Sequence, residues 1–221
     1  MRILALDSAL DRCSAGLISD AVAIAERRDV GGHGQAARLP AMAAAVLADA
    51  GIAPGSLDLV AVTVGPGSFT GIRAALGLAH GLALAAGIPV VGVTVGEALA
   101  HSLPHLGGRT FWSAIDSRRG RVFLEQNGAV ASWPLDALPP TPPRVALGGD
   151  AAIAVAARLA ARGSDIMLTD ARQPQPHHIA LAALDRLQGR LPPLEAQPLY
   201  VDPAEAKPPA GGLRPPPLPK P

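Results

Sequence analysis

Cysteine is all but missing from this chain. Its 221 residues hold one, Cys13, so no disulfide can close within it and a disulfide-stapled secreted scaffold is excluded. Lysine is nearly as scarce: Lys207 and Lys220 are the only two among 19 basic residues. With abundant alanine, glycine and proline, that bias reads as a GC-rich coding sequence, and single arginines carry little functional weight. Charge of either sign is sparse at 17% and cancels to a net +1, which excludes a strong bulk attraction to nucleic acid or an anionic membrane. The opening MRILALDSALD has acidic residues early and no long apolar run, unlike a secretory leader.

Apolar residues, at 49%, are enough for a sizeable core. Ala74–Gly96 runs 23 residues without a formal charge, long enough to raise a membrane span. Gly87-Ile88-Pro89 breaks it and His80 lies inside it, so it reads as helix, turn and buried strand. The expectation is a soluble, cytoplasmic protein with no membrane contact.

The pattern along the chain predicts an α/β fold. Strands are expected at Arg2–Asp7, Cys13–Ser19 and Val22–Arg28. A loop comes next at Gly31–Gly34, then a helix over Gln35–Ala50 containing Pro40 and ended by Gly51. Leu57–Val64 is a strand without alternation, as a strand covered on both faces should be. A helix over Ser68–Ala86 and a strand over Pro89–Val95 complete βββαβαβ, with a short helix near Gly96–Leu103. Phe111–Ile115 and Arg121–Glu125 pair around a turn, and Asn127-Gly128 marks another. Val145–Leu147 is a short strand; Ala151–Ala161 and Ile179–Gln188 are helices. The divisions are 1–106, 107–201 and 202–221. The last holds 8 prolines and few bulky apolar side chains, the composition of an extended or disordered tail. RPPPLPKP within it has the form of a polyproline segment.

Gly65-Pro66-Gly67-Ser68 joins a buried strand to a helix, where proteins hold phosphates or mount a nucleophilic serine. It matches neither GxxxxGK[ST] nor GxGxxG, since Thr70 replaces the third glycine and no lysine comes after Gly71. It also misses GxSxG, because Pro66 and Thr70 flank Ser68. A serine just before an apolar helix is well placed to cap it. The turn is therefore read as structural. The helix after it is apolar all round, with Arg73 and His80 its only ionisable groups. Leu39–Ala48, in the preceding helix, has ten residues without a polar side chain. Such a pair on one face of a sheet implies a partner surface, drawn here from Leu39, Met42, Val46, Arg73, Gly77, His80 and Gly81. His101 and His105 have a metal-ligand spacing but no third ligand. Asp7 ends the first strand with no glycine after it, and Asp116 with Arg118 reads as turn chemistry. Neither a metal nor a catalytic residue is expected.

ILALDSA, GPGSFTGIRAALGLAHGLALA, IPVVGV, AIDSRRGRVF and PLYVDPAEAK resemble the TsaB family, also called YeaZ. The resemblance implies an actin-like ATPase (ASKHA, ribonuclease H-like) fold in two lobes, each a mixed sheet flanked by helices. It implies a non-catalytic subunit of the machinery that transfers threonylcarbamoyl from threonylcarbamoyl-AMP to N6 of the adenosine 3′ of the anticodon in tRNAs reading ANN codons. The implied partners are a TsaD-type catalytic subunit and a TsaE-type ATPase, with tRNA reached through the complex; for the isolated chain, homodimer and monomer are both open. No cofactor is implied. TsaD subunits carry a metal-binding HxxxH after the strand equivalent to Pro89–Val93; the aligned positions here are Val95 and Leu99. Many members also have Glu where this chain has Arg121.

Overall fold

Alternate residues of the first strands point into two different cores, and that fixes the architecture. In β1 (Arg2–Asp7), Leu4 and Leu6 face one side while Ile3 and Ala5 face the other. In β4 (Leu59–Gly65), Val60, Val62 and Val64 join the first set, Leu59 and Ala61 the second. A strand buried on both faces shows no polar alternation, which is why LVAVTVG is continuously apolar apart from Thr63.

The computed structural model describes residues 1–29, 34–103, 105–126 and 128–201, with backbone only for Gln35. The loop residues 31–33, Asn127 and the 202–221 tail lie outside the described residues. β2 (Ser14–Ser19) and β3 (Val22–Arg28) pair antiparallel beside β1, while β4 and β5 (Val90–Thr94) pair parallel on its other side, in the order β3-β2-β1-β4-β5. The second sheet repeats the plan. β6 (Thr110–Asp116), β7 (Arg121–Gln126) and β8 (Ala129–Pro134) form a meander, and β9 (Arg144–Gly148) and β10 (Asp165–Leu168) run parallel beyond β6, in the order β10-β9-β6-β7-β8. β8 and β10 have no counterpart among the expected strands. Both are short edge strands with half-exposed side chains and weak patterning.

α1 (Gln35–Asp49) and α2 (Phe69–Ala86) cover one face of the first sheet. α1 runs through Pro40, whose side chain is exposed. α3 (Val95–Ala100) begins directly after β5 with a capping box, the Thr94 hydroxyl accepting the Glu97 N–H and the Glu97 carboxylate accepting the Thr94 N–H. α4 (Ala152–Ala160) covers the second sheet through Val155 and Leu159. α5 (Pro176–Leu187) departs from the expected 107–201 division. It packs on β1, β2, β4 and β5 of the first sheet through Ile179, Ala180, Ala182 and Ala183. α5 thereby covers the face of the first sheet opposite α1 and α2.

Candidate functional site

The glycine turn and the β1 exit are packed together without spare room. A Cβ on Gly71 would overlap the Ser8 carbonyl oxygen, and one on Gly67 the Ala9 carbonyl oxygen. The Ser68 N–H donates to the Ala9 carbonyl at 2.6 Å. The Ser68 hydroxyl accepts the Gly71 N–H at 3.2 Å and so caps α2. Gly65, Pro66 and Gly67 shape the corner, with the Gly65–Pro66 peptide cis. Asp7 is fully buried below it. Its Oδ1 accepts from the Thr63 hydroxyl at 2.6 Å and the Ala9 N–H at 3.0 Å. Burial pushes the Asp7 carboxyl up to about 6 despite those two hydrogen bonds.

These residues do not fit a nucleotide phosphate or its metal. The space a phosphate would need beside Gly67 and Gly71 is taken by the backbone of Ser8 and Ala9. The turn's N–H groups of Ser68 and Gly71 are satisfied within the chain, and the Asp7 carboxylate is turned inward. The Ser68 hydroxyl is engaged as the α2 cap. Among the described residues no three His, Cys, Asp or Glu side chains gather to hold a metal. His101 instead ties α3 to α5: its Nε2 lies 3.1 Å from Asp185, and its Nδ1 2.8 Å from the Glu97 carbonyl. His105 is exposed.

The two-helix face divides the seven residues read as partner-binding. Leu39 and Val46 are wholly buried in the core between α1 and the sheet, and Met42 is half-buried against it. This corrects the first two: α1 is apolar all round because one side packs on its own sheet, and its outer side is the alanine stripe Ala37, Ala41, Ala44 and Ala48. Arg73 and His80 are exposed but already engaged. The His80 Nε2 lies 2.8 Å from the Ala196 carbonyl. The Arg73 guanidinium sits 3.4 Å over the Phe69 ring and donates to the Tyr200 hydroxyl at 2.6 Å. Together with the Leu199 N–H on the Val64 carbonyl, these contacts fasten a strap, residues 195–201, along α2. The sequence marked its end only as part of the resemblance stretch PLYVDPAEAK and not as a strap; Tyr200, the chain's one tyrosine, is its anchor. Gly77 and Gly81 are exposed with open space where a Cβ would stand. Leu84, one helical turn further, is 86% exposed.

Between the lobes lies a cleft of ≈ 1090 Å³ bounded by the glycine turn, the β6–β7 turn and the strap. Arg118, at φ 60°, reaches across it to Asp11 at 2.6 Å and Asp150 at 3.5 Å. Its own N–H is accepted by Asp116, the turn expected from the sequence. Arg121 is stapled to β8 instead, donating to the Ser132 hydroxyl at 2.7 Å and the Ser132 carbonyl at 2.8 Å.

A second buried polar site joins the lobes, and no sequence motif announced it. Glu125, on β7, accepts the Thr94 hydroxyl at 2.5 Å and the Gly96 N–H at 3.0 Å. Glu97 beside it pairs with Arg186 of α5 at 2.5 Å, with both side chains nearly inaccessible. Burial pushes the Glu125 carboxyl up to about 7, the Thr94 bond opposing. The available signal was a lone glutamate in the apolar strand RVFLEQ.

Two lobes of the same strand order, joined around a cleft, define the actin-like ATPase fold. A ROK family protein from Streptococcus pneumoniae shares it at TM-score 0.51 and 9% identity, over 86% of this chain and 100% of that one. A Pseudomonas aeruginosa protein described as similar to peptidase YEAZ superposes at TM-score 0.74 with 27% identity, over 91% of this chain and 99% of its own. The Escherichia coli K12 tRNA threonylcarbamoyladenosine biosynthesis protein TsaB is 36% identical over 124 residues, 56% of this chain and 53% of that protein. A family model described as TsaD, tRNA N6-adenosine threonylcarbamoyltransferase, matches residues 32–132. Over the matched half the chain is similar to TsaB (YeaZ) proteins, and its whole fold superposes on a YeaZ-like structure. The chain spans about half the length of the curated relatives it matches.

Proposed function

We propose that this chain serves tRNA threonylcarbamoyladenosine biosynthesis in the cytoplasm as a non-catalytic subunit that pairs with a TsaD-type catalytic subunit. The observation that carries the reading is the outer face of α1 and α2. It presents a run of small side chains, Ala37, Ala41, Ala44, Ala48, Gly77 and Gly81, around an exposed Leu84, with Arg38 and Pro40 on α1 and Arg73 and His80 on α2 exposed beside them. Small residues let a second pair of helices approach closely, and an apolar patch of this kind is where a soluble protein docks a partner. The charged residues at the ends of α1 are neutralised within the chain, Arg38 by Asp29 and Asp49 by Arg27, each pair at 2.6 Å or less. The family of the relatives supports the choice of partner. The packed glycine turn supports the absence of chemistry in this subunit. A TsaE-type ATPase would then join the pair, tRNA would be met through the complex, and the isolated chain would use the same face to form a homodimer.

The test is sedimentation velocity of this chain alone and mixed with a TsaD-type subunit from the same organism. A one-to-one complex is expected, and it should vanish in Gly81→Trp while the variant's circular dichroism stays unchanged, because open space surrounds that position in the monomer. A mixture that sediments as two separate species would overturn the pairing.

A further inference from the structure

The interlobe cleft is not used by the proposed function, yet it is built for a particular chemistry. The chain has six aromatic side chains of the Phe, Trp and Tyr type, and three of them, Phe69, Phe123 and Tyr200, line this one cleft. Three carboxylates, Asp11, Asp116 and Asp150, stand on one rim around the Arg118 guanidinium, with Arg119 beside them, while Arg73 stands on the aromatic wall. Aromatic faces next to carboxylates form the surface that receives a basic, proline-rich peptide. The prolines stack on the rings, and the arginine or lysine pairs with the acids.

The described chain leaves the fold at this cleft, for Pro198, Leu199, Tyr200 and Val201 are part of its lining. Beyond Val201 the sequence reads DPAEAKPPAGGLRPPPLPKP, a segment with 8 prolines. Its acids, Asp202 and Glu205, come first in sequence, directly after Tyr200, which bonds Arg73 on the cleft wall. Its bases, Lys207, Arg214 and Lys220, come later in the sequence and are of the charge that the Asp11, Asp116 and Asp150 carboxylates attract. In the polyproline conformation about 20 residues can reach about 60 Å, so length sets no limit. Attachment at Val201 gives the segment an effective concentration on the order of millimolar at the cleft, so even weak stacking suffices.

We propose that the interlobe cleft is a binding site for a basic, proline-rich peptide and that its occupant is the chain's own segment 202–221. The inference is independent of what docks on α1 and α2.

The experiment places a photo-crosslinking benzoylphenylalanine at Leu218 of the full chain and maps the irradiated products by mass spectrometry, using a mixture of isotope-labelled and unlabelled chains. Crosslinks within one chain to the peptides around Phe69, Phe123 and Tyr200 are expected. They should be lost in Arg214→Glu, a change that leaves every cleft-lining residue intact, and in Asp116→Lys. A second set with the probe at Leu213 guards against an effect of the probe at one position. Crosslinks that join only labelled to unlabelled chains would overturn the proposal in favour of a second copy's cleft. Crosslinks that fall outside the cleft, no crosslinks at either position, or cleft crosslinks unchanged by Arg214→Glu would overturn it outright.

Discussion

Gly71 is the residue on which the corner between β4 and α2 depends. Its α-carbon faces the Ser8 carbonyl, which belongs to backbone and cannot rotate away. Gly71→Ala should therefore force the β1 exit and the helix start apart. Overpacking of this kind costs about 1–3 kcal/mol or more, so a urea midpoint should fall clearly below that of the native chain. Ser68→Ala, which removes only the cap, should cost about 1 kcal/mol. Equal midpoints for Gly71→Ala and the native chain would show that the corner is looser than its geometry. The sequence revealed that this turn was a corner rather than a phosphate cradle, because it breaks each known pattern by a specific residue: Thr70, Pro66, the missing lysine. It could not reveal why Gly67 and Gly71 are glycines. That reason is the backbone of Ser8 and Ala9, far earlier in the chain, and only the parallel pairing of β1 with β4 brings the two together.

At the scale of elements, α2 has two separate jobs on its exposed side, and its sequence blurs them. Gly77, Gly81 and Leu84 leave a smooth apolar surface, while Arg73 and His80 hold the strap 195–201. An amphipathic helix announces which side is core by its period; a helix apolar all round does not, so Leu39 and Val46 were legible as apolar but not as inward. The strap was illegible for a different reason. It has no regular period, and its contacts are made to residues more than 100 positions away. His80→Ala tests its fastening. Loss of one exposed hydrogen bond is worth about 0.5–1.5 kcal/mol, so the Leu199 amide should exchange up to about tenfold faster. Amides of β1 and β4 should keep their native rates. Unchanged exchange at Leu199 would mean that Arg73 and Tyr200 hold the strap without help from His80.

For the whole molecule, the decisive joint is the one Glu125 makes. It belongs to the second sheet but accepts its two hydrogen bonds from Thr94 and Gly96 of the first lobe, and the neighbouring Glu97–Arg186 pair ties α5 to the same point. A single buried carboxylate thus bonds directly to the other lobe and lies beside that lobe's own ion pair. Its pKa stands at about 7 in the fold against 4.5 for the free side chain. Between those values the folded chain holds a proton that the unfolded chain has released. The stabilising effect is complete below the unfolded value and is lost as pH rises through the folded one, by up to about 1.4 kcal/mol per pH unit. Asp7, raised to about 6 by burial, acts with the same sign. His178, lowered by burial and by the neighbouring imidazole of His177, acts with the opposite sign, favouring higher pH. The Glu125 contribution is isolated by comparison with Glu125→Gln, whose amide is neutral throughout and retains one oxygen as acceptor. Urea denaturation of both chains from about pH 5 to about pH 8 should show the native chain losing stability relative to the variant as pH rises, with the steepest divergence between about pH 5 and about pH 6.5 and the curves running parallel again well above about pH 7. Curves parallel over the whole range would mean that the Glu125 carboxylate is ionised in the fold despite its burial. The Thr94 and Gly96 donors would then outweigh the loss of water, and the joint between the lobes would be held by charge rather than by a shared proton.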